Sequence, residues 1–180
     1  MPRNIEVKAR IPSLEAVLPL VQSLADGAPE ALFQDDTFFT CPTGRLKLRD
    51  FGNGRGQLIF YQRPDAPGPT QSRYRIHETA DPAGLRETLS AALGVIGRVV
   101  KRRLLFFRGQ TRIYLDAVEG LGDFLELEVV LEAGQSAAAG LAIAEAIFSQ
   151  LGLPASARLP GAYRDLLEAA GAFASGPGTA

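Results

Sequence analysis

A single cysteine, Cys41, and a single histidine, His77, stand in a chain of 180 residues. One thiol cannot form an intramolecular disulfide, and one thiol with one imidazole cannot assemble a thiolate zinc site or a histidine-based nucleophile system. Metal chemistry, if there is any, must use carboxylates. The sequence also lacks an apolar run approaching the roughly 20 residues that a membrane-spanning helix needs. The N-terminus MPRNIEVKAR passes directly into an alternating pattern without the apolar core of a signal peptide, so a cytoplasmic protein with no membrane partner is expected. Net charge is nearly absent: 19 Lys plus Arg against 20 Asp plus Glu leave −1, which gives no global attraction to nucleic acid. Any electrostatic preference has to be local.

What is present reads as one domain over residues 1–171, followed by a Gly/Ser/Pro tail, 172–180, expected to be disordered. Residues 3–11 alternate strictly, with Asn4, Glu6, Lys8 and Arg10 on one face and Ile5, Val7, Ala9 and Ile11 on the other, which is the period of a strand. Ser13 is placed to cap a helix carrying Leu14, Val17, Leu18, Val21 and Leu24 at helical spacing. Strands are predicted over 33–40, 45–51, 57–63, 72–78, 98–108, 111–117 and 123–131, with the run Pro64–Pro69 as a rim loop that cannot continue a central strand. Helices are predicted after Asp81-Pro82, from Ser136 to Leu151, and over 163–170. No internal repeat or domain linker is visible.

Several strands put charge on one face and aliphatic residues on the other. Lys47 and Arg49 oppose Leu46 and Leu48; Lys101 and Arg103 oppose Val100 and Leu104; Arg112 and Asp116 oppose Ile113 and Leu115; Glu126 and Glu128 oppose Leu125, Leu127 and Val129. Arg73 and Arg75 flank Tyr74 in the same way. An ordinary antiparallel sheet with a solvated face accounts for this pattern too. Two features point instead to a closed barrel with the charges inside. About eight strands can close on themselves with helices covering the aliphatic face, and the signs are segregated, acids on the first and last strands and Lys and Arg on the middle ones. Buried charge of this kind needs a neutralising ligand. A metal-bound polyphosphate suits it, with Arg and Lys on its oxygens and Glu6, Asp116, Glu126 and Glu128 on Mg²⁺ or Mn²⁺.

At these residues the chain resembles the CYTH family of triphosphate tunnel metalloenzymes, which includes class IV adenylate cyclases, thiamine triphosphatases and inorganic triphosphatases. The matching stretches are Asn4-Ile5-Glu6-Val7-Lys8, set against the family's E-x-E-x-K, then Arg45 to Arg49, Lys101 to Arg103, Arg112 to Asp116, Val118 to Glu128 and Ala162 to Leu167. The resemblance implies an α+β protein built on an eight-stranded antiparallel tunnel with helices packed outside. It assigns Lys8, Lys47, Arg49, Arg73, Lys101 and Arg103 to the triphosphate, with Arg75 and Arg112 as further candidates, and Glu6, Asp116, Glu126 and Glu128 to the metal. Of these, Glu6, Glu126 and Glu128 are the candidates for catalysis, orienting an attacking water. Two departures stand out: Asn4 replaces the first motif glutamate, and Gln62 sits where a tunnel lysine is expected.

The leading functional expectation is Mg²⁺- or Mn²⁺-dependent hydrolysis of ATP, thiamine triphosphate or inorganic triphosphate. The alternatives are class IV cyclisation of ATP and non-catalytic binding of nucleotides or polyphosphate; assembly as a homodimer is compatible with all three. His77 reads as a surface or capping residue, Cys41 as a small apolar filler, Asp35 and Asp36 as rim contacts or strand-end polar residues, and Tyr163 as packing near the tunnel end.

Overall fold

The computed structural model describes residues 3–62, 70–159 and 162–171. Eight strands, β1 (Arg3–Arg10), β2 (Glu30–Phe39), β3 (Arg45–Asp50), β4 (Gly56–Gln62), β5 (Thr70–Thr79), β6 (Val95–Arg108), β7 (Thr111–Val118) and β8 (Gly122–Val130), form one antiparallel sheet. Its order, β1-β5-β4-β3-β2-β6-β7-β8, closes because β8 pairs back onto β1, with Glu6 opposite Glu128 and Lys8 opposite Glu126. Closure removes both sheet edges and gives the sheet an inside. The predicted rim loop Pro64–Pro69 and tail 172–180 lie outside the described residues.

Four helices accompany the barrel: α1 (Leu14–Leu24), α2 (Pro82–Leu93), α3 (Ala137–Gln150) and α4 (Tyr163–Ala169). Local chemistry starts three of them as expected, since Ser13, Asp81 and Ser136 each accept a backbone N–H from the first turn. Glycines at positive φ, Gly52 and Gly54, turn β3 into β4, a conformation that L side chains rarely adopt.

The main core lies outside the barrel. Ile5, Val7, Ile113, Leu115, Leu125, Leu127 and Val129, the aliphatic halves of their alternating strands, pack against Val17 and Val21 of α1 and Ala144, Ile147 and Phe148 of α3. Burying that face against helices leaves the charged face pointing inward. A smaller cluster, Phe38, Val99, Val118, Phe124, Tyr163 and Leu167, seats α4 across one end of the barrel. No helix among the described residues is long and apolar enough to cross a membrane.

Candidate functional site

The barrel encloses a cavity of about 490 Å³. Its lining alternates along each strand as the period of two requires: Asn4, Glu6 and Lys8 from β1, Gln34 and Asp36 from β2, Lys47 and Arg49 from β3, Lys101 and Arg103 from β6, Arg112 and Tyr114 from β7, and Glu126 and Glu128 from β8. Six cations therefore share the lumen with four carboxylates. Most of them occupy opposite walls. Glu6, Glu126 and Glu128 stand on adjacent β1 and β8, whereas Lys47, Arg49, Lys101 and Arg103 stand on the facing β3 and β6 with β2 between.

Asp36 is the centre of the cationic wall. It is fully enclosed, and it accepts hydrogen bonds from Lys47 Nζ at 2.8 Å and from Arg49 Nε and Nη2 at 2.8 and 2.9 Å, with Lys101 Nζ at 3.5 Å. Burial alone would raise its pKa, but Arg49, Lys47 and Lys101 together hold it well below the usual carboxylate range. The sequence reading of Asp36 as a rim or strand-end residue is therefore replaced: it neutralises the lumen from within. Asp35, one residue earlier, faces outward and binds Arg98 and Arg86. Lys101 is affected most among the lysines. Burial lowers its pKa, and Arg103, Arg49 and Lys47 add to the fall against the pull of Asp36, bringing it to about 7.

On the acidic wall, Glu128 accepts from Asn4 Nδ2, from Tyr114 Oη at 2.8 Å and from Arg112 Nη1 at 3.2 Å. Asn4 Nδ2 also reaches Glu6 Oε1 at 3.4 Å, so its amide lies between two carboxylates. Its Oδ1 is buried without a hydrogen-bond partner. Glu126 lies 3.6 Å from Lys8 and 3.4 Å from Arg103. Burial raises its pKa, but Lys8, Arg103 and Lys101 more than reverse this and keep it ionised.

Three sequence assignments change. Asp116 points inward from β7 but is wholly buried beneath the lining, where Arg103 holds both its oxygens at 2.6 Å and Tyr163 Oη donates at 2.7 Å. It braces Arg103 instead of presenting an open oxygen to a metal. Arg73 and Arg75 do not enter the lumen. Pairing of Tyr61 with Tyr74 and of Ile59 with Ile76 puts Tyr74 and Ile76 inside, leaving Arg73, Arg75 and His77 on the outer face opposite Gln62, Phe60 and Leu58. The helices pack chiefly on the other six strands, so the outward side of β5 is where solvent is and where its charges go. Gln62, accordingly, is not in the position of a tunnel residue; it donates to the Thr43 carbonyl outside.

Tyr163 reads from the sequence as a residue near the tunnel end, with helix packing as an equal account, and the structure places it at that end. Its ring lies under Lys8 Nζ at 4.0 Å and Lys101 Nζ at 5.3 Å, so α4 closes one end of the tunnel with an aromatic face turned to the cations. The hydroxyl, buried beside Asp116 and Glu126, is held well above the usual phenol range. Arg45 ties α4 to β3 through Asp165 at 3.0 Å.

Among the described residues no three of His, Cys, Asp and Glu gather closely enough to enclose a cation unaided. The acidic wall nevertheless suits one hard cation. Glu6 and Glu128 face each other in register, and the unpartnered Asn4 Oδ1 is a neutral oxygen donor beside them. Mg²⁺ is commonly held in this manner, by one or two carboxylates with water and substrate phosphates completing the shell.

A closed antiparallel barrel whose inner face carries cations mostly on one wall and carboxylates mostly on the other defines a tunnel-type protein with a polar lumen. The chain belongs to the CYTH domain family, whose pattern it matches over residues 2–163. Among solved structures it is similar to the PH1012 protein of Pyrococcus horikoshii, at 25% identity and a TM-score of 0.80, over 91% of this chain and 98% of that one. A Vibrio parahaemolyticus protein provisionally assigned as an adenylate cyclase shares 21% identity at a TM-score of 0.74, over 92% and 97% of the two chains. HpAC1 from Hippeastrum, described as having a dominant triphosphatase activity, shares 16% at 0.68, over 95% and 96%. No curated protein sequence matches the chain significantly.

Proposed function

We propose that the protein is a divalent-metal-dependent enzyme that hydrolyses a triphosphate inside the tunnel. The observation that carries this reading is the separation of charge across the lumen, which suits a polyanion lying on β3, β2 and β6 with its metal on β1 and β8. Lys47, Arg49, Lys101 and Arg103, with Lys8 and Arg112 at the sides, donate to phosphate oxygens in place of their present carboxylate partners. Glu6, Glu128 and Asn4 hold the metal, Mg²⁺ or Mn²⁺, which when bound neutralises phosphate charge and polarises the phosphoryl group. Water attacks the terminal phosphorus in line, the bond to the bridging oxygen breaks, and orthophosphate and the shortened phosphate leave. Glu126, kept ionised by Lys8 and Arg103, orients the water more than it removes its proton.

Cyclisation of ATP would instead require the ribose 3′-oxygen in line with the α-phosphate. One panel separates the readings: phosphate release and cyclic AMP formation from ATP, thiamine triphosphate and inorganic triphosphate, each with Mg²⁺ or Mn²⁺. Metal-dependent phosphate release is the expected result. Cyclic AMP with pyrophosphate would establish the cyclase. Tight binding with neither product would make the protein a non-catalytic binder, the outcome toward which Asn4 in place of a motif glutamate leans.

A further inference from the structure

Tyr163, the first residue of α4, is 4% exposed and meets the lumen with two different parts. Its ring packs with Phe38, Val99 and Phe124 and faces the ammonium groups of Lys8 and Lys101. A phenylalanine would do all of this. The hydroxyl is a separate matter, because a buried O–H is costly unless it is paired, and packing does not call for it. It donates at 2.7 Å to Asp116 Oδ2, the same oxygen that accepts from Arg103 Nη2.

Arg103 is fixed on two sides. Its Nε and Nη2 edge lies on Asp116, its cross-strand partner, and its guanidinium lies 3.7 Å from the centre of the Tyr114 ring. Nη2 also reaches Glu126 at 3.4 Å, so the Nη1 side of the fork is what is left for a phosphate oxygen. How far the fork can lean toward a ligand depends on how strongly Asp116 holds its other edge. Asp116 is 0% exposed, with no solvent to share its charge, so each donor on Oδ2 takes a part of it. Without the phenol, that part falls on Arg103.

We infer that Tyr163 is a positioning residue for the triphosphate, its hydroxyl acting through Asp116 to set how firmly Arg103 is held and so how well Arg103 meets a phosphate. The inference rests on the triphosphate reading above and deepens it. The hydroxyl touches no substrate and acts only through the carboxylate.

Tyr163→Phe removes the hydroxyl and keeps the ring. Calorimetric binding of inorganic triphosphate with Mg²⁺ should weaken about tenfold in this variant. In an Arg103→Met background the same substitution should cost nothing further, since its effect passes through Arg103; a residue that merely packs would add its cost in both backgrounds. A second measurement needs only Tyr163→Phe and no ligand: the ¹⁵N NMR signal of the Arg103 Nε–H should shift, while that of Arg49, held by Asp36, stays. An equal loss of binding in both backgrounds, no loss in the parent background, or an unmoved Arg103 signal overturns the assignment while the triphosphate reading stands. If the parent does not bind triphosphate with Mg²⁺, both are overturned.

Discussion

Lys101 is enclosed by groups from several elements: Asp36 on β2, Lys47 and Arg49 on β3, Arg103 on its own strand, Glu126 on β8 and the ring of Tyr163 on α4. With its pKa near 7, the unfolded chain binds this proton and the native lumen does not between that pH and the ordinary lysine range. The native state without ligand therefore gains stability as pH rises through that window. A triphosphate favours the ammonium form, so the expected outcome is proton uptake on binding at pH 8 and an affinity that falls as pH rises. Calorimetry in buffers of different ionisation enthalpy measures the uptake, and Lys101→Met should abolish it. Asn4 gives a second expectation at this scale. Asn4→Glu exchanges a donor lying between Glu6 and Glu128 for a third negative charge, which should cost about 1–3 kcal/mol in chelator. Mn²⁺ should then raise the melting temperature of the variant more than that of the parent; an equal rise would place Asn4 outside the metal site.

At the scale of elements, α3 fits its place closely. A Cβ at Gly140 would overlap Leu131 Cδ2 and approach Ile5 Cγ1 to 2.9 Å, so the helix lies against β1 through a residue with no side chain. Gly140→Ala gains about 1 kcal/mol in helix propensity but overpacks this contact, at about 1–3 kcal/mol. A lower denaturation midpoint is expected, and a higher one would show that Leu131 relaxes freely. α4 works differently. It is short, yet Tyr163, through Asp116, connects it to Arg103, and Asp165 accepts the Ala162 N–H while binding Arg45. Its position is thus set by the same buried ion pairs that hold the cationic wall.

For the whole molecule, the proposed polyanion and metal would occupy facing walls of one lumen, so each should improve the site for the other. Triphosphate with Mg²⁺ or Mn²⁺ should raise the melting temperature well beyond either alone, reaching about 2.7 kcal/mol of added stability at a hundredfold excess over Kd. A melting series with inorganic triphosphate, metal and both together checks this; no shift with both present would remove the main support for a polyphosphate site.

Periodicity, with cap and turn residues, located the strands and helices, because a residue's face in a strand or helix is a local property. It also brought Glu6, Lys8, Lys47, Arg49, Lys101, Arg103, Arg112, Glu126 and Glu128 to one face, and all nine line the cavity. Alternation does not say which face is inside. On β5 the pattern is equally consistent with Arg73 and Arg75 inward or outward, and only pairing with β4, on an arc left to solvent, turned Tyr74 and Ile76 to the lumen. Nor does it rank charges of the same face. Asp36 and Asp116 read as a rim residue and a metal ligand, but the tertiary structure set one among three cations and buried the other behind Arg103. Which carboxylate stays open to a ligand depends on which cations from distant strands arrive beside it, and ring closure alone decides that.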